Sequence, residues 1–116
     1  MIISDFLQQL RDKPDSVSFG ETMQVIETNY RFTETAFSNG DQQNPAGENN
    51  GSCKIFAFAK LQGLNKIETL LCFGSYYRDD VLANASGSDH QNIRNFMQSG
   101  WDGVSFNGEP LTPVAA

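Results

Sequence analysis

The most apolar helical stretch of the chain lies between residues 52 and 63, where only Lys54 and Lys60 carry charge. A helix that is apolar on nearly all of its faces is buried, so this stretch predicts the central helix of the fold. Ser52 is predicted to cap its start and Gly63 to follow its end, because Ser favours the N-cap and Gly the left-handed position after a helix.

Helical spacing of apolar residues also predicts two helices before the central one. The first is capped by Ser4 and ends before Pro14, which cannot continue a helix. The second begins at Ser18, which has capping-box spacing to Glu21, and runs towards residue 29. Both are expected to cover the central helix.

A helix after the central one is predicted by a second capping box, Asn65 with Glu68, and Ile67 is assigned to its buried side. One or two helical turns are expected over residues 76–82, before a loop at 84–88 that is rich in small polar residues.

The last helix is expected to be capped by Ser88 or Asp89 and to end at Gly100. Trp101 is placed to pack back on Phe96 in a Schellman arrangement.

The β-structure is predicted at two places. Alternating β-branched and aromatic residues predict a strand over residues 30–37, and residues 38–51 are assigned to a long polar loop. Near the C-terminus, Asn107-Gly108 is a strong hairpin turn signal, and Pro110 confines the returning arm to a sheet edge. This hairpin is expected to pair with the strand at 33–37.

These elements define an α+β fold that is mostly helical, with about five helices and a small antiparallel sheet that includes a C-terminal hairpin. A chain of 116 residues with 39% hydrophobic and 11% aromatic residues is expected to form a single domain over residues 1–116.

The charge and the cysteine content limit the partners and the compartment. A net charge of −6 argues against nucleic acid and anionic membrane surfaces, and no apolar run approaches the roughly 20 residues of a membrane span. Two cysteines without a dense framework favour a reducing compartment, and the first residues lack the pattern of a cleavable signal peptide. The cytoplasm is therefore the expected location.

The candidate catalytic pair is Cys53 with His90. Cys53 follows the predicted helix start, where unpaired amides favour a thiolate, and His90 is the one histidine that could act as its base, oriented by Asn49, Asn50 or Asp89. The competing interpretation is a small buried cysteine and a histidine bonded to its own helix start, which one Cys and one His match more often.

The second candidate is a polar binding site, in which Arg78 and Arg94 converge with the predicted helix start on an anionic or amide ligand. The alternative is that the asparagines form loop turns, Arg78 pairs with a neighbouring aspartate and Arg94 lies near a helix end. The candidate binding residues are Asn49, Asn50, Ser52, Tyr77, Arg78, Asp89 and Arg94.

No metal or cofactor site is predicted. One histidine and two cysteines nineteen positions apart, at 53 and 72, lack the spacing of a zinc site. No phosphate-cradling loop is present in the sequence either.

Several sequence blocks resemble the HopJ family of type III effector proteins, a bacterial family. The resemblance spans residues 19–113 and is carried by residues 21–23, 29–30, 35–37, 49–58, 72–77, 89–97 and 100–101. It implies bacterial origin and a relationship to proteins injected into host cells, but it implies no enzymatic activity, cofactor or binding residue.

The leading hypothesis is a HopJ-like, effector-related protein that binds a protein or a small polar ligand through residues 49–53 and 77–90, acting as a monomer. The first alternative is a thiol-dependent enzyme that uses Cys53 and His90. The second is a housekeeping domain of the bacterial cytoplasm, which a type III system would not export.

Overall fold

A computed structural model describes residues 2–114. Within this range the α+β class, mostly helical with small antiparallel sheets, is confirmed. The helices are α1 (Ile3–Asp12), α2 (Phe19–Asn29), α3 (Asn50–Gln62), α4 (Lys66–Leu71) and α5 (Gln91–Ser99). The strands are β1 (Tyr30–Phe32), β2 (Phe37–Asn39), β3 (Gln42–Asn44), β4 (Val104–Phe106) and β5 (Leu111–Pro113). Short 3-10 turns lie at Pro14–Ser16 and Gly100–Gly103, and a π-helical turn at Tyr76–Val81.

Helix α3 is the buried centre of the fold, as predicted. Phe56 and Phe58 are fully buried, and the Phe56 ring lies 4.9 Å from that of Phe96 and 5.5 Å from that of Phe73 between centroids. Burying each such side chain stabilises the fold by about 1.5–3 kcal/mol. Helix α3 ends as predicted, since Gly63 has a φ of 69° and the Leu64 amide donates to the Ala59 carbonyl at 2.9 Å.

Two of the predicted helix starts are confirmed and three are wrong. The capping boxes of Ser18 with Glu21 and of Asn65 with Glu68 both form. The residues predicted to cap the other three helices, however, do not cap them. Those helices follow Ile2, Asn49 and His90, none of which caps through its side chain.

Each wrong cap has a local reason. Ser4 and Ser52 already lie inside α1 and α3, which begin one and two residues earlier, at 3 and 50. The Asp89 carboxylate accepts a hydrogen bond from Arg94 at 2.6 Å instead of capping α5. In α4, Leu70 is buried as its helical spacing predicts, whereas Ile67, also predicted to be buried, is 57% exposed.

The C-terminal strands both form, but they do not pair with each other as the predicted hairpin required. Tyr30 pairs with Pro113 and Phe37 with Phe106, so a step of seven residues (37 − 30) on one side matches seven (113 − 106) on the other. The two ladders therefore share one register, and residues 30–39 run antiparallel to residues 104–113 as a ribbon that is divided between two separate sheets.

The Asn107-Gly108 dipeptide, predicted to form a hairpin turn, lies between the two ladders of this ribbon. The Asn107 amide donates to the Ala36 carbonyl at 3.0 Å, and the Thr33 amide donates to the Pro110 carbonyl at 2.8 Å. The dipeptide therefore lies where the ribbon is distorted between its two ladders, rather than at a chain reversal.

The predicted loop of residues 38–51 is partly a hairpin. Strands β2 and β3 pair antiparallel from Phe37 with Asn44 to Asn39 with Gln42, which leaves a two-residue turn at Gly40 and Asp41. Gly40 has a φ of 59°, which glycine adopts without steric cost and which a tight hairpin turn requires. Only residues 45–49 connect this hairpin to α3.

Gly74 lets the end of α4 approach the start of α2. Its φ is 63°, and a Cβ atom there would lie 2.6 Å from the backbone nitrogen of Phe19. This close packing places Phe73 and Phe19 beside the starts of α3 and α5.

Candidate functional site

A cavity of about 440 Å³ opens where the starts of α3 and α5 face the first turn of α2 and the π-helical turn. This volume is within the range of small-molecule sites. It is lined by Phe19, Gln42, Asn49, Gly51, Ser52, Phe73, Tyr76, His90, Gln91, Asn92 and Ile93.

The two helix starts at this cavity share an unusual backbone. Asn49 (φ 54°, ψ 43°) and His90 (φ 51°, ψ 49°) both adopt the left-handed conformation. Within residues 2–114 they are the non-glycine residues with positive φ. Such a conformation costs about 1–3 kcal/mol and persists only where surrounding contacts impose it. Both strained residues face the same cavity.

Specific contacts hold each strained residue. The Asn49 Nδ2 donates to Asn44 Oδ1 at 2.7 Å. The His90 Nε2 lies 3.1 Å from Asp80 Oδ2, and its ring centroid lies 5.2 Å from that of Tyr76. These contacts come from other segments of the chain, so the tertiary fold imposes the left-handed starts.

Left-handed starts leave backbone amides available to the cavity. In α3 the Cys53 amide donates to the Asn49 carbonyl at 3.0 Å, and in α5 the Ile93 amide donates to the His90 carbonyl at 3.0 Å. The amides between each pair have no acceptor within their own helix. Since both helix starts carry partial positive charge, the cavity favours a carboxylate or another oxygen acceptor.

Two aromatic rings form an apolar part of the cavity lining. The Phe19 and Tyr76 rings meet edge to face at 5.0 Å between centroids, and Tyr76 in turn contacts His90. A Cβ atom at Gly51 would lie 2.9 Å from Phe19 Cζ, so the backbone of α3 packs directly on the Phe19 ring. The cavity thus presents an apolar surface beside its polar helix starts.

The charges near the cavity lie at its border. Among the described residues no Lys, Arg, Asp or Glu lines it. Asp80 and Asp89 lie behind His90, 3.1 and 3.8 Å from its Nε2. The hydrogen bond from Arg94 is the largest of the effects that lower the pKa of Asp89. Arg94 therefore compensates the charge of Asp89 next to the site.

The predicted residues Asn49, Ser52 and His90 do line one cavity. Asn50 does not line it, since its Nδ2 lies 3.4 Å from Glu34 Oε2. Tyr77 is 8% exposed and belongs to the core. Three of the predicted site residues therefore lie together at this cavity, whereas Asn50 and Tyr77 do not line it.

Cys53 is not placed as a nucleophile for His90. Its thiol is 1% exposed and lies 3.7 Å from the Thr35 carbonyl oxygen, while His90 is bonded to Asp80. Burial raises the pKa of the Cys53 thiol to about 11. Because the thiol form dominates at neutral pH, the arrangement lacks the thiolate that such chemistry needs.

Arg78 and Arg94 do not converge on the cavity as predicted. Each instead donates hydrogen bonds to backbone carbonyl oxygens of loops. The Arg78 Nη1 donates to the Val17 carbonyl at 2.7 Å. Arg94, 8% exposed, donates to the carbonyl oxygens of Asp89 at 2.6 Å and Asn84 at 2.8 Å. Arg78 does not pair with a neighbouring aspartate, and Arg94 does not lie near the end of its helix, as the alternatives had proposed. Arg94 does bind the carboxylate of Asp89.

Sequence reasoning missed a buried cluster of asparagines behind the cavity. Asn39, Asn44 and Asn92 are at most 6% exposed and hydrogen-bond to one another. A signal was present in part, because Gly40-Asp41 is a dipeptide typical of a two-residue hairpin turn. Nothing in the sequence indicated that Asn92 would meet that hairpin.

A larger groove of about 570 Å³ lies elsewhere, between α3 and the C-terminal strand. Its lining includes Leu61, Phe106 and Pro113, and the Lys60 Nζ lies 5.8 Å from the Phe106 ring centroid. Among its described lining residues none is a predicted site residue, so the groove holds none of the candidate chemistry.

The fold and site define a class: an α+β domain with a ligand-sized cavity between two uncapped helix starts. The model of the HopJ type III effector protein family matches residues 3–111. The chain belongs to this family, which confirms the resemblance seen in the sequence. No curated protein matches the chain.

A solved structure is similar over nearly the whole chain. It is described as the crystal structure of unknown function protein VPA0580, and the two share 54% sequence identity with a TM-score of 0.96. The match covers 98% of this chain and 95% of the other. In the described part of the chain, no helix has both the length and the apolar character that crossing a bilayer requires.

Proposed function

We propose that this HopJ family member is a binding protein that accommodates a small polar ligand, or a polar side chain of a partner protein, in the cavity between α3 and α5. One observation carries the proposal: the strained starts of two helices open into a single cavity of about 440 Å³. Strained backbone persists where function or packing demands it, and two such residues at one cavity point to recognition.

The lining supports a ligand with two parts. Backbone amides at Gly51 and Gln91 suit an oxygen acceptor, whereas Phe19 and Tyr76 suit an apolar ring or chain. A cationic group is disfavoured because both helix starts carry partial positive charge. A carboxylate or an amide attached to an apolar body therefore fits best.

No reaction is proposed for the site. The raised pKa of the Cys53 thiol and its contact with Thr35 argue against a thiol enzyme. His90 lines the cavity, and its ring is hydrogen-bonded to Asp80.

The test is a titration of the 15N-labelled protein with phenylacetate, phenylacetamide and phenethylamine, followed by heteronuclear NMR. These probes share a ring and differ in charge. We expect saturable shifts of the Gly51, Ser52 and Gln91 amide signals with the first two probes and weaker binding of the amine. Absence of saturable shifts at these signals with all three probes would contradict the proposal.

Two matched variants localise the binding. Ser52→Leu places a larger side chain in the cavity and is expected to weaken phenylacetate binding. Asn50→Leu adds the same side chain two residues earlier, at a residue whose side chain contacts Glu34. Equal effects of the two variants would show that the probes bind outside the cavity.

We also propose that the protein is exported by a type III secretion system, as its family name suggests. The test compares culture supernatants of the native bacterium with and without a functional secretion apparatus. Export only with the apparatus supports the effector role. Retention in the cells of both strains would favour a housekeeping protein of the bacterial cytoplasm.

A further inference from the structure

The two strained helix starts are joined behind the cavity by a single side chain. We infer that Asn44 is a positioning residue that holds Asn49, before α3, in its left-handed form, ties it to the first turn of α5 through Asn92, and so shapes the binding cavity. The inference about ligand affinity rests on the proposed function, whereas the inference about backbone geometry does not.

Asn44 contacts both walls at once. Its Oδ1 accepts from Asn49 Nδ2 at 2.7 Å and from Asn92 Nδ2 at 2.9 Å. Its Nδ2 donates to Asn92 Oδ1 at 3.2 Å and to the Phe37 carbonyl at 3.2 Å. Asn49 is the strained residue before α3, and Asn92 lies two residues after the strained His90. One amide thus links the two starts to the β2–β3 hairpin.

Asn44 does not itself contact the cavity. It is 2% exposed and is not among the lining residues, whereas Asn49 and Asn92 both line the cavity. Any effect of Asn44 on a ligand must therefore pass through these two neighbours.

Asn39 supports the same arrangement from the adjacent strand. Its Nδ2 donates to the Asn92 carbonyl at 2.7 Å and to Asn92 Oδ1 at 3.1 Å. Asn39 and Asn44 lie on one face of the hairpin, because Asn44 pairs with Phe37 and Phe37 is two residues from Asn39. The hairpin therefore presents two amides to the first turn of α5.

Loss of Asn44 should release Asn49 in particular. A non-glycine residue prefers negative φ, so Asn49 needs a fixed partner to remain left-handed. Glycine adopts positive φ without that penalty. An Asn49→Gly change should therefore restore the α3 start in a protein that lacks the Asn44 amide, which a purely packing role of Asn44 would not allow.

The experiment compares Asn44→Ala, the double variant Asn44→Ala/Asn49→Gly and the control Thr69→Val by NMR. Thr69 is also fully buried, but its hydroxyl bonds to the Asn65 carbonyl, away from the cavity. We expect Asn44→Ala to shift the Gly51, Ser52 and His90 amide signals and to weaken phenylacetate binding by about tenfold, the effect of losing about one hydrogen bond. The double variant should recover the Gly51 and Ser52 signals.

The outcomes separate the two proposals. If phenylacetate does not bind the native protein, the proposed function fails while the amide shifts still decide the positioning role. If Asn44→Ala moves the cavity signals no more than Thr69→Val does, the positioning role is overturned. Should Asn44→Ala fail to fold, Asn44→Asp retains the acceptor oxygen for Asn49, and unchanged His90 and Asn92 signals in that variant would equally overturn it.

Discussion

Helices α2 and α4 begin with a capping box, which we call a closed start. Helices α3 and α5 begin without a side-chain cap, which we call an open start. At α4 the Glu68 amide donates to Asn65 Oδ1 at 2.8 Å, and Glu68 Oε1 accepts from the Asn65 amide at 3.0 Å. At α3 and α5 no side chain caps the first turn. The closed starts satisfy their amides locally, whereas the open starts turn theirs to a shared cavity. The closed starts thus contribute to stability, whereas the open starts leave amides available for the proposed binding.

The largest expected effect is at the closed start of α2, where Gly74→Ala should destabilise the protein by about 3 kcal/mol or more. The new Cβ atom would lie 2.6 Å from the Phe19 backbone nitrogen, and φ at this position is 63°. Urea unfolding gives the loss. Gly63→Ala is the control, because φ there is 69° but nothing lies within 4 Å of the new atom. Equal losses would show that the close approach contributes little.

The next effect concerns the capping box itself. Ser18→Ala removes the oxygen that accepts from the Glu21 amide at 3.1 Å, so we expect a loss of about 1 kcal/mol. The same urea measurement on Ser52→Ala, inside the open start of α3, should show a smaller loss. A larger loss at Ser52 would mean that the open start depends on this hydroxyl for its stability.

A smaller, pH-dependent effect is expected at the closed start of α4. Hydrogen bonding to the Asn65 backbone is the largest effect on Glu68 and lowers its pKa below the ordinary value of 4.5. The charged carboxylate therefore stabilises the fold above pH 4.5, and this contribution is lost as the pH falls through the lowered pKa. Glu68→Gln keeps an acceptor but does not titrate, so its stability should fall less steeply in acid. Identical acid profiles of the two proteins would contradict this.

The smallest effect is expected at the open start of α3. Asn49→Gly loses the hydrogen bond to Asn44 but removes the strain of a left-handed asparagine, so the stability should change by only about 0.5 kcal/mol. Asn49→Ala retains the strain and loses the bond, and it should be clearly less stable. Thermal unfolding of the two variants gives the comparison. Equal stabilities would show that backbone strain at residue 49 has no effect on stability.

The closed starts were predictable and the open ones were not. Each capping box joins residues three positions apart, Ser18 with Glu21 and Asn65 with Glu68. The local spacing in the sequence therefore predicts both contacts. Asn49 and His90 are left-handed because Asn44 and Asp80 hold their side chains. No rule of local spacing identifies such partners.

The candidate site shows the same division. Asn49 and Ser52 were selected from their place at a predicted helix start and His90 as the one histidine, and all three line the cavity. The buried asparagines escaped notice because Asn39 and Asn92 are 53 residues apart and meet only through the fold. The hairpin signal at Asn107 misled for a similar reason, since pairing with residues 30–39 outweighed the local turn preference.

By itself, the sequence determined the helical class, the buried course of α3, the two capping boxes and membership of the HopJ family. Those features follow from apolar periodicity, from contacts across three or four residues, and from long matching blocks. Only the tertiary structure decided which helix starts remain open and which side chains face one another across the cavity. Such contacts join different elements of the fold, from five residues apart for Asn44 with Asn49 to 53 apart for Asn39 with Asn92, and their geometry is imposed by packing rather than by local preference.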